Sequence, residues 1–249
     1  MSVTTSKATG TTHDPVGVAR SAADIRARFP VACVECPAAR IGCFEDAVGA
    51  GKPACRFVKR ALGARDPVPT AWASDYALVL VRRGVVVRTR APQDGPSVAI
   101  DCVGPGAALP LAPNAIEIGY AATEVLVCLY PRVGLDETLA REPRTALDLI
   151  LALAGALERV ELLAEARGQR SADSRVARVL AVLADRLTPP ERRDKLPLGL
   201  QQRDLARLAG VRPESFCRTL GKLERAGIVR RLPEGLQIER HDQLAAFKG

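Results

Sequence analysis

The sequence predicts an α+β chain: an antiparallel β-roll, a long helix, and a C-terminal winged helix-turn-helix. Three observations carry that reading. Residues 201–231 run as a short helix, a glycine corner and a longer amphipathic helix. Residues 76–130 alternate short apolar runs with turn signals, the pattern of a small antiparallel roll or barrel. After them, Pro143, a residue tolerated in the first turn of a helix, opens a helical stretch that reaches about Arg167.

Four segments follow from the N-terminus. Residues 1–24 are polar, with many Thr, Ser and Ala, and are expected to form a disordered tail. They lack the apolar segment of a secretory signal, which predicts a cytoplasmic protein. Residues 25–140 hold a cysteine-bearing loop and then the roll. Ala77–Val81 and Val85–Arg90 flank Arg82-Arg83-Gly84, Ser97–Cys102 follows Pro92-Gln93-Asp94-Gly95, and Thr123–Tyr130 is strongly β-prone. Residues 141–168 form the long helix, with Leu147, Ile150, Leu151, Ala154, Leu157 and Val160 in an apolar stripe. That stripe serves either to cover the roll or to make a coiled-coil-like seam with a second copy. Its most apolar part, Leu149–Leu157, is too short to cross a bilayer, so no membrane partner is expected.

Residues 171–249 complete the chain. On the second helix of the pair, Glu214, Arg218 and Arg225 fall on one face with Cys217 beside them. Phe216, Leu220 and Leu223 lie opposite, where they can pack on Leu205, Leu208 and Val211, with Gly210 at the corner. Ile228–Leu232 and Leu236–Arg240 flank Pro233-Glu234-Gly235 as the hairpin of a wing. Charge agrees with a nucleic-acid partner. The chain carries 36 Lys and Arg against 28 Asp and Glu. Residues 171–249 hold 16 basic and 10 acidic side chains, and residues 203–231 hold 8 and 3. Such an excess attracts phosphate and releases counterions. The residues expected at double-stranded DNA are Arg212, Glu214, Ser215, Cys217, Arg218 and Lys222. A two-fold DNA reader needs a symmetric partner, which favours the dimer seam and an inverted-repeat target.

Cys33, Cys36 and Cys43 stand in a C-x2-C-x6-C spacing. Three thiolates this close in a cytosolic chain point to a metal or cluster rather than to disulfides. A fourth thiolate would come from Cys55, Cys102 or Cys128, and spacing leaves that choice open. No nucleophile–base pair, phosphate loop or dinucleotide fingerprint is found, so no enzyme is expected. A structural zinc site and a thiol–disulfide switch use the same cysteines.

A roll, a long helix and a winged helix in this order resemble the Crp/Fnr family of bacterial transcription regulators. The stretch from Gln202 to Leu220 is similar to that family's DNA-binding signature. The resemblance implies a cyclic-nucleotide-binding-like roll as sensor, a homodimer, and RNA polymerase as a further partner. It also implies that Glu214 and Arg218 read a G·C pair, as Arg suits guanine O6/N7 and a carboxylate accepts from cytosine N4. The oxygen-sensing Fnr branch holds a [4Fe–4S] cluster on an N-terminal cysteine trio and one cysteine in a late strand. Carried over by position, these are Cys33, Cys36, Cys43 and Cys128, with Cys55 as the alternative fourth ligand. The trio's second gap is one residue wider than the family's usual spacing, and Cys217 stands where that branch commonly has Ser. The same ligands would serve a cluster that answers to nitric oxide. Residues 102–116 carry no charge, so an anionic cyclic nucleotide would lack its cationic partner there.

Overall fold

A computed structural model describes residues 57–141, 143–187, 200–232 and 235–249. Cys33, Cys36, Cys43, Cys55 and the expected N-terminal tail lie outside the described residues. Among the described residues, seven strands build the roll: β1 (Val58–Leu62), β2 (Tyr76–Arg83), β3 (Val86–Arg90), β4 (Val98–Val103), β5 (Ala108–Pro110), β6 (Gly119–Ala121) and β7 (Val125–Pro131), with a short helix α1 (Trp72–Asp75) before β2. The order is β1-β7-β2-β5 in one sheet and β4-β3-β6 in the other. The sheets close on a core that includes Val79, Val81, Val86, Val103, Val127 and Leu129.

Period-two alternation sends the other faces elsewhere. Leu78, Leu80, Cys128 and Tyr130 point away from the roll core and pack with Phe57 and Leu149. Although β2 and β3 are neighbours in sequence, they belong to different sheets. β2 pairs with β5 and β7, and β3 pairs with β4 and β6. Gly84 makes the crossing possible: its φ is +79°, and a Cβ there would meet the Glu124 carbonyl oxygen at 2.1 Å.

Two helices follow, α2 (Leu135–Arg141) and α3 (Pro143–Arg167). α3 begins at the proline that marks its start in the sequence. It buries Leu149, Ala156, Leu163 and Ala166. The stripe read from the sequence lies on another face: Leu147, Ile150, Leu151 and Leu157 are 48–61% exposed, Ala154 is exposed and Val160 half-buried. Covering the roll is therefore the work of a second row of residues. α3 is also pinned by a buried ion pair. Arg159 reaches Asp101 on β4 at 3.2 Å through Nη2 and donates to the Ala108 carbonyl at 2.8 Å. Asp101, fully buried, also accepts the Cys102 N–H at 2.7 Å.

The C-terminal unit comprises α4 (Ala172–Leu187), α5 (Gln202–Ala209), α6 (Pro213–Arg225), the hairpin β8 (Val229–Leu232) with β9 (Gly235–Ile238), and α7 (His241–Ala246). Ser171 caps α4 by accepting the Ser174 N–H at 3.0 Å. The unit rests on the roll through α5. Arg65 Nη1 and Nη2 donate to the two oxygens of Asp204, each at 2.8 Å, and the Tyr120 hydroxyl donates to Asp204 Oδ1 at 2.7 Å. Arg65 has φ +78°, a left-handed conformation that costs a side-chain-bearing residue about 1–2 kcal/mol.

Burial opposes the charge on Asp204, but the hydrogen bonds from Arg65 and Tyr120 outweigh it and hold the carboxyl below the usual carboxylate range. Tyr120 is pushed up to about 12, first by burial and then by its bond to Asp204, and stays a neutral donor. A lowered carboxyl contributes stability above its unfolded value, roughly 3.9, and loses it as pH falls through the folded value. Hydrogen-exchange protection of α5 should therefore persist from pH 7 to about 4 and fall below that. Loss of protection already near pH 6 would contradict this account of the junction.

Candidate nucleic-acid interface

The helix pair is built by local sequence chemistry. Asp204, three residues into α5, accepts the Gln201 N–H at 3.1 Å and completes a capping box. α5 ends at Gly210 with φ +61° and ψ +37°, the left-handed C-cap that favours glycine. Pro213 then starts α6 at a position where its missing N–H costs nothing. Phe216, Leu220 and Leu223 are at most 1% exposed and share a core with Leu205 and Leu208, as their spacing predicts.

The opposite face of α6 is open. Arg212, Glu214, Cys217, Arg218 and Arg225 are exposed. Among the described residues, no carboxylate lies within ion-pair distance of Arg212, Arg218 or Arg225. Arg218 Nη2 donates to Ser215 Oγ at 3.4 Å, a loose contact that leaves the guanidinium able to fork onto another acceptor. The Cys217 thiol donates to Gln202 Oε1 at 3.1 Å, across the corner from α5.

Two of the six residues expected at DNA, Ser215 and Lys222, are half-buried. Lys222 is half-buried and ion-paired with Asp173 in the first turn of α4, and Thr219 donates to the same carboxylate. Burial opposes the charge on Asp173, yet the bonds from Lys222 and Thr219 prevail and keep it below the usual range. Lys222 therefore fastens α6 to α4. Ser215 is half-buried, and its carbonyl accepts from Thr219 Oγ1 at 3.0 Å. In the wing, Arg230 pairs with Glu239 at 3.0 Å and Arg231 with Glu224 at 3.1 Å, so these cations brace the hairpin. The fastening role of Asp173 has no signal in spacing, because its partner is 49 residues away.

The two described cysteines that compete for a ligand role occupy different surroundings. Cys128, 5% exposed, sits on β7 opposite Lys59 of β1 and Leu80 of β2. It shares its cluster with Phe57, which follows Cys55 by two residues. Phe57 meets the Tyr130 ring edge-on, with centroids 4.9 Å apart. The Tyr130 hydroxyl is buried and has no hydrogen-bond partner among the described residues. Cys102 faces the helices instead, in the core with Val87, Ala99 and Leu180. Burial, then the charge of Asp101, pushes its thiol well above the ordinary cysteine value, which disfavours a thiolate.

Comparison with known proteins identifies the fold. Residues 174–247 match the model of the Crp-like helix-turn-helix domain. FixK2 from Bradyrhizobium japonicum has a similar structure, with a TM-score of 0.64 at 20% identity, over 78% of this chain and 98% of that one. A CooA mutant from Carboxydothermus hydrogenoformans follows at 0.63 and 16% identity, over 82% and 94%. A transcriptional regulator of the CRP/FNR family from Thermus thermophilus is similar at 0.51 and 24% identity, over 77% and 100%. The fold is that of the Crp/Fnr proteins. No curated protein matches the chain by sequence. Within the Crp-like domain the open face of α6 is the second helix of the helix-turn-helix, the element that lies in the major groove in this motif. Among the described residues, no helix is long and apolar enough to cross a membrane.

Proposed function

We propose that this chain is a homodimeric transcription regulator that reads an inverted repeat with α6 and is controlled by an iron–sulfur cluster. The observation that carries the reading is the open face of α6. There a carboxylate (Glu214) and a guanidinium (Arg218) lie one helical turn apart on the exposed side of a Crp-like domain, each open to solvent. That pair suits a G·C base pair in the major groove. Arg218→Ala should weaken binding to the selected site by about 1–3 kcal/mol and relax specificity at one position. Equal weakening on specific and random DNA, measured by competition, would remove the base-reading role.

The second copy is supported by the exposed stripe on α3. Leu147, Ile150, Leu151 and Leu157 stand in solvent on the face turned away from the roll, at the spacing of a helix–helix seam. In a dimer joined there, the two α6 helices would read half-sites about 34 Å apart.

Cysteine chemistry supports the cluster. Among the described residues, no three of His, Cys, Asp and Glu come together as a metal site, and the resemblance to the Fnr branch assigns the other ligands of a centre at Cys128 to Cys33, Cys36 and Cys43. Cys128 fits that set. It is buried, lies in the cluster that includes Phe57, and has two residues along the Tyr130 hydroxyl, which lacks a partner among the described residues. The bound cluster would supply an oxygen-reactive link between the N-terminal thiolates and β7. Cys128 would hold its end of that link, while Leu149 of α3, packed in the same cluster as Cys128, would pass any shift of β7 to the dimer helix. The test is purification without air, followed by a visible spectrum and iron and sulfide analysis before and after air is admitted. About four iron and four sulfide per subunit, with a spectrum that bleaches in air, is expected. A colourless protein would leave the DNA-binding half of the proposal and remove the cluster.

A further inference from the structure

The junction between roll and Crp-like domain is more elaborate than helix capping requires. An N-terminal cap needs one acceptor, and a solvated carboxylate supplies it. Asp204 is instead 1% exposed and takes a forked pair of bonds from Arg65 and one from Tyr120, in addition to its bond from the Gln201 N–H. Two guanidinium groups stand over the Tyr120 ring, with Arg65 Cζ 5.7 Å and Arg207 Cζ 5.8 Å from its centre. Arg207 also donates to the Ser97 carbonyl at 3.1 Å, so α5 is held from both β4 and β6 sides of the smaller sheet. Arg65 is the one non-glycine residue with positive φ among the described residues, and its N–H is anchored on the Ala121 carbonyl at 2.7 Å. An unfavourable backbone state is thus kept at the very residue that forks onto the DNA-binding domain.

The direction of this hold matters. α5 and α6 share one core, so whatever fixes α5 fixes α6. α5 turns Asp204 and Arg207 to the roll, while Arg212, Glu214, Cys217 and Arg218 remain open to solvent. We propose that Arg65, Tyr120, Asp204 and Arg207 form a latch that sets the orientation of the reading helix relative to the sensor roll, preorganising the head for its half-site. This rests on the DNA-binding reading above. Two heads must meet half-sites at a fixed spacing, and a head free to pivot would spend binding energy on becoming oriented. Arg65 and Tyr120 are accordingly positioning residues that never touch DNA.

The test uses the full chain and the site that it selects from a random-sequence pool. Tyr120→Phe and Arg65→Met are measured on that site and on a version with one base pair added between the half-sites. Tyr120→Phe changes no charge, so its effect is not one of electrostatic attraction to phosphate. The expected result is binding about tenfold weaker on the selected site, a change in orientation cost on the order of 1.4 kcal/mol. The penalty for the added base pair should also shrink in both variants, because a pivoting head tolerates altered spacing. Unchanged or tighter binding overturns the latch. So does weaker binding with the spacing penalty intact, the signature of a merely destabilised domain. If the unaltered chain selects no site at all, it is the DNA-binding reading that falls.

Discussion

Arg159→Met is expected to destabilise the protein by about 3–5 kcal/mol, the cost of leaving a buried charge without its partner. Asp101 is fully buried, and Arg159 is the cation that reaches it from α3. After the substitution the Cys102 N–H remains on Asp101 Oδ1, but one amide does not replace a guanidinium that also satisfied the Ala108 carbonyl. Denaturant unfolding of the variant measures the loss. The double variant Asp101→Asn with Arg159→Met should recover a large part of it, because the stranded charge is gone. A single-variant loss under about 1 kcal/mol would mean that water reaches Asp101. The pair ties α3 to the roll at β4 and β5, so its loss should also loosen the helix that carries the exposed apolar stripe.

Cys128→Ala is expected to yield a protein that retains no iron–sulfur cluster when prepared without air, and that loses the cluster-dependent part of its DNA binding. The Cys128 side chain is small and buried, so the substitution removes the sulfur with little loss of packing. Cys102→Ala should hold iron normally, since that thiol belongs to the core beneath the helices and not to the cluster of Phe57 and Cys128. Iron and sulfide analysis of both variants decides the matter. Full iron content in Cys128→Ala would move the fourth ligand to Cys55. Loss in Cys102→Ala with retention in Cys128→Ala would overturn the placement of the centre at β7.

The helix-turn-helix was legible because its information is local. Gly210, Pro213 and the spacing of Phe216, Leu220 and Leu223 define corner, start and buried face within one short stretch of chain, and the structure reproduces each. The α3 stripe was equally legible as apolar, yet its spacing was silent on which row would meet the roll. The row that does includes Arg159, a residue that periodicity alone assigns to solvent. Lys222 shows a related limit: its position on α6 does not announce the ion pair that it makes with Asp173, 49 residues away.

By itself, the chain's sequence determined the α+β plan, the order of roll, long helix and winged helix, and which face of α6 is buried and which is open. These depend on periodicity, turn chemistry and charge, which act over a few residues. Tertiary structure decided which strands share a sheet, which thiol lies beside the chain's entry at Phe57, and how the head is seated. Asp204 with Arg65 spans 139 residues and Arg159 with Asp101 spans 58. Such pairs have no local preference that announces them. They form because a buried charge must find its counter-charge, and only the packed fold determines which one is within reach.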